Sequence, residues 1–552
     1  MKVDKIIKNA KIFTADKSNP MATALVVKDG KFVYVGDESG LSDYEGEITD
    51  LGGKFVMPGI IDSHVHVTIP VGFEYADMGE RIEPNGKAEA LEIMAKYIKE
   101  NPGKKRYGFI LDKKFLKEGE DIYKEDLDAI CPDAELLIQE GEGHSIWVNS
   151  KILQKHGITD DTPDPIPGLA YYVRKDGHVT GNMYEGATEI PIIFDSSMEL
   201  TDEQVDAALQ RWIDFSVKAG VSCVFDAGLP GDMKFHEKIY KRLCELDKQG
   251  KLPFYVDGSL VVNSERDAEE GLKDLKRLQR EYNTEHVKVH TMKIFMDGTQ
   301  RIFTAAMVTP YVNTGTTGAT AFSAEGICEL VKNLNEAGLD LHLHTVGERA
   351  SRTVLDGYEM AKKELGDKLK VRVTCAHLEI QDDADLDRFA KLGVIANFTP
   401  HWHADDPELY YHFLGEERAK KLFRCKTLWD SGALVAWSSD NITFEDFTTW
   451  NPYLGMEIGM TRFAGEKTRT YEFNKNPEIC PPLDERMNIE EMLIGFTING
   501  AKQLGIEDVK GSIESGKDAD FLVFDNDLLT AEKEGFSNNK PSEVYFGGKK
   551  MK

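Results

Sequence analysis

The sequence lacks several features that mark special classes of protein. Its 552 residues include seven cysteines, an odd number with no CxxC pair, which argues against a disulfide framework and favours a reducing compartment. No apolar run approaches the roughly 18 residues that a membrane helix needs. The N-terminal stretch "MKVDKIIKNAKIFTAD" has no hydrophobic core of the signal-peptide kind. We therefore expect a cytoplasmic protein with no membrane partner.

Positive charge is also scarce. The chain has 67 basic against 95 acidic residues, a formal net charge of −28. Such a surface repels polyanions, so we expect no nucleic acid as a partner and a small molecule as the substrate. A hydrophobic fraction of 41% with 29% charged residues is typical of a soluble globular protein. At this length a large α/β barrel with an appended domain fits the chain well.

Both ends of the chain have strand patterns. Near the N-terminus, "ATALVVKDGKFVYVGD" alternates apolar and polar residues about a turn, which predicts a β-hairpin. The C-terminal stretches "KGSIESGKDADFLVFDND" and "SEVYFGGKKMK" are also strand-rich. Each patch alone is too small to bury a core. We therefore predict one composite β-sandwich domain made from residues 1–56 and 505–552.

The middle of the chain, residues 57–504, repeats short β-branched runs followed by amphipathic helices. Examples of the runs are "VSCVFDAG", "LDLHLHTVG", "VRVTCAHLE" and "ALVAWSSD". Strands that alternate with helices at this spacing indicate parallel βαβ units. With six visible strands and polar residues at their ends, a (β/α)8 TIM barrel is favoured over an open doubly wound sheet. Residues 68–200 interrupt the rhythm after the first strand, so we interpret them as a large insertion.

The stretch "VMPGIIDSHVHV", residues 56–67, ends an apolar run with two histidines one residue apart. In a strand, residues i and i+2 face the same way, so His64 and His66 both point to the barrel axis. A lone buried histidine is more often a hydrogen-bonded core residue than a ligand. A pair on one strand face favours a shared metal instead, because neutral imidazoles are common zinc ligands.

Other strand ends carry polar residues for which a hydrophobic strand has no structural use. The C-terminal edge of a barrel is where active sites lie, so these residues are predicted to converge there with His64 and His66. They are Lys293 in "TMKIFMDG", His344 in "LHLHTVG", His377 in "TCAHLE" and Asp440 in "AWSSDN". His342 lies one pleat deeper than His344 and is interpreted as a supporting or core residue. His401 and His403 in "TPHWHADD" are candidates for lining the pocket, with a solvated loop as the alternative.

These motifs, in this order, resemble those of the amidohydrolase superfamily. The stretches "GEGHSIWVNSKIL", "GHVTGNMYEGA" and "LHTVGERA" are similar to the YtcJ-like branch, amidohydrolase family 3, which includes N-substituted formamide deformylase. Two positions depart from the branch pattern. Ala376 precedes His377 where glutamate is frequent, and Thr399 stands where many relatives have glutamine. Both differences concern substrate contacts.

The resemblance implies a metal-dependent hydrolase. In similar enzymes the HxH pair binds one divalent metal, the next two histidines bind a second, and a carboxylated lysine bridges them. The implied cofactor is Zn²⁺, one or two per chain, with His64, His66, Lys293 (N6-carboxylated), His344, His377 and Asp440 as ligands. Burial in a cation-rich pocket would depress the pKa of Lys293, and its neutral amine could then add carbon dioxide.

The expected reaction is hydrolysis of a carbon–nitrogen bond in an N-formyl or N-acyl amide. Asp440 is the predicted general base towards a metal-activated water. His144, Glu185 and Asp297 are predicted substrate contacts, together with His401 and His403. For Glu185, an exposed carboxylate at a helix start is an equal alternative. We also expect a homodimer. The remaining alternatives are a deaminase, a cyclic amide or lactone hydrolase, and a catalytically silent scaffold.

Overall fold

A computed structural model describes most of the chain. The described residues are 1–73, 80–141, 143–194, 200–228, 233–404, 408–442, 451–468, 470–471 and 475–552. Residues 74–79, 142 and 195–199 of the predicted insertion lie outside this set.

A parallel eight-stranded sheet forms the centre of the molecule. Its strands pair in chain order with parallel registers throughout. They are β1 (Ile60–Val65), β2 (Val221–Asp226), β3 (Tyr255–Val262), β4 (Val287–Phe295), β5 (Asp340–Thr345), β6 (Val373–His377), β7 (Ile395–Phe398) and β8 (Val435–Trp437). Two backbone hydrogen bonds join the segment after β8 to the end of β1: Asp440 N donates to His64 O (2.9 Å) and His66 N donates to Asn441 O (3.1 Å). The predicted (β/α)8 barrel is confirmed.

Helices cover the outside of the sheet. Asp202–Ala219 shows why they form: Thr201 and Gln204 make a capping box at its start, and Gly220 ends it in the left-handed conformation. Its buried face includes Trp212, which packs edge-on against Phe254 with ring centroids 5.1 Å apart. The described helices that follow it are Met233–Lys248, Ala268–Tyr282, Ala324–Ala337, Glu348–Leu365, Leu386–Leu392, Glu408–Leu414, Glu416–Ala419, Cys425–Asp430, Pro452–Thr461, Ile489–Ile494 and Gly500–Leu504, with a π-helical turn at Gly495–Asn499.

Strands from both ends of the chain share one sheet. Its six strands are, in spatial order, Lys549–Lys550, Glu543–Phe546, Phe521–Phe524, Phe55–Pro58, Lys11–Phe13 and Met21–Ala22. A four-stranded sheet of Lys31–Gly36, Ala24–Lys28, Lys2–Lys8 and Glu45–Asp50 accompanies it. Phe32, Val56, Phe521 and Tyr545 belong to one buried cluster in this region. A β domain is therefore added to the barrel; the boundaries 1–56, 57–504 and 505–552 stay a prediction.

The chain between β1 and β2 carries a third assembly. Its mixed six-stranded sheet has the order Tyr171–Lys175, His178–Tyr184, Ser145–Val148, Glu135–Glu140, Arg106–Leu111 and Glu80–Ile82. The helices of this region are Thr68–Phe73, Lys87–Glu100, Lys124–Ile130, Ser150–Lys155 and Gly186–Ile193. Two apolar clusters of its own stabilise it, one around Ile146 and one around Phe109. Within the described chain, no helix combines the length and the apolar character required to cross a bilayer.

Removal of residues 505–552 should destabilise the whole chain. The deletion removes Phe521, Phe524 and Tyr545, all buried, and burial of each large side chain contributes about 1.5–3 kcal/mol. We expect mostly insoluble protein, or a much lower melting temperature in a thermal unfolding scan. Removal of residues 551–552 alone, which follow the last strand, is the matched control. A truncated chain as soluble and heat-stable as the parent would show that the two ends do not cooperate.

Candidate metal centre

The paired histidines of β1 lie side by side in the barrel. His64 and His66 are 0% and 6% exposed, and their ring centroids are 5.4 Å apart. His66 Nδ1 donates to the carbonyl of Gly228 at 2.6 Å, which orients the ring with Nε2 facing Asp440. His64 Nδ1 shares a hydrogen bond of 2.9 Å with His342 Nε2. In both residues Nδ1 is engaged by a neighbouring group, so Nε2 is the nitrogen that could bind a metal.

Asp440 faces both of these nitrogens. Its Oδ1 lies 3.2 Å from His64 Nε2 and 3.2 Å from His66 Nε2, and its Oδ2 lies 3.9 Å from His377 Nδ1. Burial opposes ionisation of this carboxyl, but the neighbouring imidazoles and Lys293 outweigh it and lower the pKa of Asp440 to about 2. The residue adopts φ +50°, in the left-handed region. The carboxylate is therefore ionised and held in a strained backbone.

Lys293 on β4 completes this side of the centre. Its side chain is fully buried, with Nζ 3.4 Å from His64 Nε2 and 4.8 Å from the ring centroid of Phe295. Burial lowers the pKa of Lys293 to about 7, despite the opposing carboxylates of Asp440 and Asp226. A large fraction of the amine is thus neutral near pH 7.

His344 and His377 come from β5 and β6. Their ring centroids are 4.5 Å apart, and the ring of His377 is 4.8 Å from that of His64. Burial, reinforced by neighbouring cationic groups, lowers the pKa of His64, His344 and His377 well below the usual value. The three rings are therefore neutral, as metal ligands must be.

These six residues suit a divalent cation. One ligand atom from each of His64, His377 and Asp440 lies within 4.8 Å of the others. His377 Nδ1 and Asp440 Oδ1 are buried, and neither makes a hydrogen bond to any described residue. A cation held between them would give each of these two atoms a partner. A divalent cation therefore fits this site because the site offers imidazole nitrogens and a carboxylate oxygen as ligands.

Two predicted substrate contacts reach the centre from the insertion. His144 Nδ1 donates to Glu185 Oε2 at 2.9 Å, and the ring centroids of His144 and His344 are 6.0 Å apart. Burial lowers the pKa of His144, but the ion pair with Glu185 dominates and raises it to about 9. Glu185 has φ 70° and ψ 155°, a conformation that glycine alone adopts readily.

The other oxygen of Glu185 binds the barrel. Thr304, in the segment after β4, donates its hydroxyl to Glu185 Oε1. That oxygen lies so close to Gly298 that a Cβ added there would approach it to 1.9 Å. His344 Nε2 in turn donates to the Gly298 carbonyl at 3.2 Å. Glu185 and the candidate ligand His344 therefore both lie beside Gly298.

Asp297 follows β4 and organises the backbone. Its carboxylate accepts from Val346 N, Gly347 N and Ala306 N at 2.8–2.9 Å. Burial raises the pKa of Asp297 to about 8 although these three donors oppose the shift. The residue ties the segments after β4 and β5 together, and a substrate contact stays a prediction.

His401 and His403 have other neighbours. His401 Nε2 donates to Asn451 O at 3.0 Å, and the ring of His403 stacks on Phe423 with centroids 4.6 Å apart. The contacts shown by the described residues do not bring His403 into the cluster of His64, His344 and His377. A role for either in substrate binding stays a prediction.

Sequence reasoning missed three supporting residues. Asp62 accepts from the backbone N–H and the hydroxyl of Ser439, next to Asp440. Asp226 accepts from Val67 N at 2.9 Å. The ring of Trp402 stacks on His377 at 5.1 Å and 17°. Two of them could have been found from the sequence. Asp62 lies two residues before His64 on the same buried strand, and Asp226 ends the apolar run "VSCVFD". No sequence pattern indicated Trp402.

A barrel with neutral imidazoles, a buried lysine and an ionised aspartate at the C-terminal edge of its strands defines a metal-dependent hydrolase. The amidohydrolase family model matches residues 47–551, so the chain belongs to the amidohydrolase family. It is therefore a hydrolase of carbon–nitrogen bonds other than peptide bonds, with a divalent metal as cofactor.

Individual relatives agree with this assignment. The chain is 26% identical to the putative amidohydrolase YtcJ of Bacillus subtilis, over 94% of this chain and 93% of the relative. It is 26% identical to N-substituted formamide deformylase of Arthrobacter pascens, over 95% and 94%. An uncharacterised metal-dependent hydrolase from Pyrococcus furiosus superposes with a TM-score of 0.66 at 25% identity, covering 95% of this chain and 100% of that structure. The expected resemblance to the YtcJ-like branch is confirmed.

Replacing both histidines of β1 should abolish metal binding. We expect His64→Ala/His66→Ala to be folded by circular dichroism but to contain at least about tenfold less metal by elemental analysis, because two of the nitrogen ligands are gone. His412→Ala is the control, since His412 is exposed and has no predicted role. Full metal content in the double variant would contradict the assignment of these ligands.

Proposed function

We propose that the protein hydrolyses an N-formyl or N-acyl amide. The observation that carries the proposal is Asp440, an ionised carboxylate with its oxygens 3.2–3.9 Å from three imidazole nitrogens. This arrangement combines metal ligands with a proton acceptor at one point. Similarity to N-substituted formamide deformylase along 95% of the chain supports the amide class.

His64, His66, Lys293, His344, His377 and Asp440 would hold the metal, and the imidazole-rich set favours Zn²⁺, one or two ions per chain. When bound, a divalent cation supplies Lewis acidity, which polarises a carbonyl and acidifies water. Asp440 then accepts the proton of the attacking water and returns it to the leaving nitrogen as the carbon–nitrogen bond breaks. The low pKa of Asp440 keeps it in the accepting form at neutral pH.

Lys293 would act as a bridging ligand after carboxylation. Its neutral Nζ can add to carbon dioxide with loss of one proton, giving a carbamate that binds cations through two oxygens. The low pKa of Lys293 supports this step, because the ammonium form has no lone pair to react. An unmodified ammonium beside a cation would be repelled.

His144 would contact the substrate on the side of the centre where His344 lies, since the two ring centroids are 6.0 Å apart. Its Nδ1 is engaged by Glu185, so its Nε2–H is left to donate to the substrate carbonyl oxygen. Because Glu185 also accepts from Thr304 of the barrel, the pair would be held in a fixed position beside the centre.

A substrate screen tests the proposal. Metal-loaded protein should release amine from at least one N-formyl or N-acyl amine, and Asp440→Asn should reduce turnover by at least about 10³-fold because the amide accepts no proton. Cyclic ureides, lactones and aminopurines are the comparison substrates. Turnover of any of these in preference to every open-chain amide would replace the proposal with the corresponding alternative, and metal-loaded protein inert to all would indicate a scaffold.

Lys293→Ala should separate folding from catalysis. We expect a folded protein with reduced metal content and at least about 10²-fold lower turnover, because the bridging anion is lost. Short carboxylic acids small enough to occupy the vacated space should restore part of the activity. Lys293→Arg is the matched control and should not be rescued, since a guanidinium cannot form the carbamate and fills the space. A parent-like rate in Lys293→Ala without added acid would contradict the bridging role.

A further inference from the structure

The stretch "TPHWHADD" forms a short turn after β7. It contains Pro400–Trp402, a single turn of 3₁₀ helix, and we call residues 400–403 the HWH turn. His403 N donates to Pro400 O at 3.0 Å and closes the turn. Proline at the first helical position fixes φ, so the backbone of the HWH turn has little freedom.

Both histidines of the HWH turn attach it to neighbouring elements. His401 Nε2 donates to Asn451 O at 3.0 Å. Gly455, in the helix that follows Asn451, permits this close approach, since a Cβ added there would lie 2.6 Å from the His401 ring. His403 is buried and stacks on Phe423 with ring centroids 4.6 Å apart. The HWH turn is therefore fixed on both sides of Trp402.

Trp402 itself contacts a candidate metal ligand. Its ring stacks on that of His377, with centroids 5.1 Å apart and planes 17° apart. The rings of His64 and His344 meet that of His377 at the steeper angles of 59° and 60°. Trp402 is half-buried and also packs against the buried apolar cluster that includes Val346. It therefore covers one face of the His377 ring.

The other candidate imidazoles are oriented by hydrogen bonds. The pairs are His64 with His342, His66 with the Gly228 carbonyl, and His344 with the Gly298 carbonyl. His377 Nδ1 has no such bond within the part of the chain that the structure describes. The torsion that rotates an imidazole about its Cβ–Cγ bond has only broad preferences. The orientation of the His377 ring therefore depends on what the ring contacts.

We propose that Trp402 is a positioning residue that holds the His377 ring in the orientation needed to bind the metal. This role rests on the proposed function, in which His377 is a metal ligand. Rotation of the His377 ring would break its near-parallel overlap with the indole, so the stack favours one ring plane. An imidazole bound to a cation also becomes electron-poor, and the electron-rich face of an indole attracts such a ring more strongly. Metal binding and stacking would therefore strengthen each other.

The metal affinity of Trp402 variants tests this role without requiring turnover. In competition with a chelator, Trp402→Leu should bind Zn²⁺ at least about tenfold more weakly, because the ring that orients His377 is gone. Trp402→Phe keeps an aromatic face and should stay within about threefold of the parent. Trp429→Leu, on the helix Cys425–Asp430, is the matched control and should leave the affinity unchanged. Parent-like affinity in Trp402→Leu, or an equal loss in Trp429→Leu, would overturn the inference.

The absorption of bound Co²⁺ separates positioning from a general effect on the fold. Co²⁺ in place of Zn²⁺ has visible absorption bands that depend on the geometry of its ligands. In Trp402→Leu these bands should shift or weaken, because His377 no longer has a fixed ring plane. In Trp402→Phe they should match those of the parent. Bands of Trp402→Leu identical to those of the parent would contradict the positioning role.

Fluorinated tryptophan tests the stack if Trp402→Leu does not fold. Incorporation of 5,7-difluorotryptophan at all six tryptophans keeps the shape of each indole but withdraws negative charge from its face. Labelling should weaken Zn²⁺ binding by at least about twofold in the parent and leave the affinity of Trp402→Phe unchanged. An unchanged affinity in the labelled parent, or an equal loss in labelled Trp402→Phe, would overturn the inference.

His401→Ala tests whether the HWH turn acts through Trp402. Loss of the hydrogen bond to Asn451 frees the turn, so Zn²⁺ affinity should fall by at least about threefold although His401 is not a proposed ligand. In a Trp402→Leu background the same change should have no further effect, because the ring that the turn presents is already absent. Fully additive losses would show that His401 acts independently of Trp402.

His377→Ala distinguishes this inference from the ligand assignment on which it rests. If His377→Ala loses metal while Trp402→Leu retains it, His377 remains a ligand and the stack has no positioning role. If His377→Ala binds Zn²⁺ as tightly as the parent, the assignment of His377 as a ligand has failed and the role of Trp402 fails with it.

Discussion

The site depends on how the barrel closes. Asp440 N donates to the carbonyl of His64, so the strand that supplies two imidazoles is bonded to the segment that supplies the carboxylate. Asp62 adds a second tie by accepting from Ser439. The same hydrogen bonds therefore close the sheet and hold Asp440 beside the imidazoles of the first strand. In a barrel that failed to close, Asp440 would not be held next to His64 and His66.

Electrostatics explain why this interior is suited to a cation. Burial keeps the imidazoles of His64, His344 and His377 neutral and brings the pKa of Lys293 to about 7, while Asp440 remains ionised. The result is a set of neutral nitrogen lone pairs beside one carboxylate, the kinds of ligand that a divalent transition metal takes in proteins. Metal binding would in turn allow the neutral lysine to carry a carbamate.

The insertion is integral to the centre. Glu185 holds a backbone conformation suited to glycine, and its two oxygens connect His144 to Thr304 of the barrel. Gly298 permits this approach, since a side chain there would collide with the Glu185 carboxylate. Strain at Glu185 is offset by these contacts, which place a histidine of the insertion beside His344.

The sequence by itself determined the barrel and the convergence of its strand ends. Strand periodicity fixes that His64 and His66 face the same way, and parallel strands must end at one edge, so ligand types could be inferred from local pattern alone. Only the tertiary structure decided which polar residues meet. Trp402 stacks on His377 and His403 on Phe423, although both come from the same short stretch. The sequence also could not show that Glu185 and Asp297 accept hydrogen bonds from donors within the protein. Those donors are 9–119 residues away along the chain, and they become neighbours only when the insertion and the strand-end segments pack together.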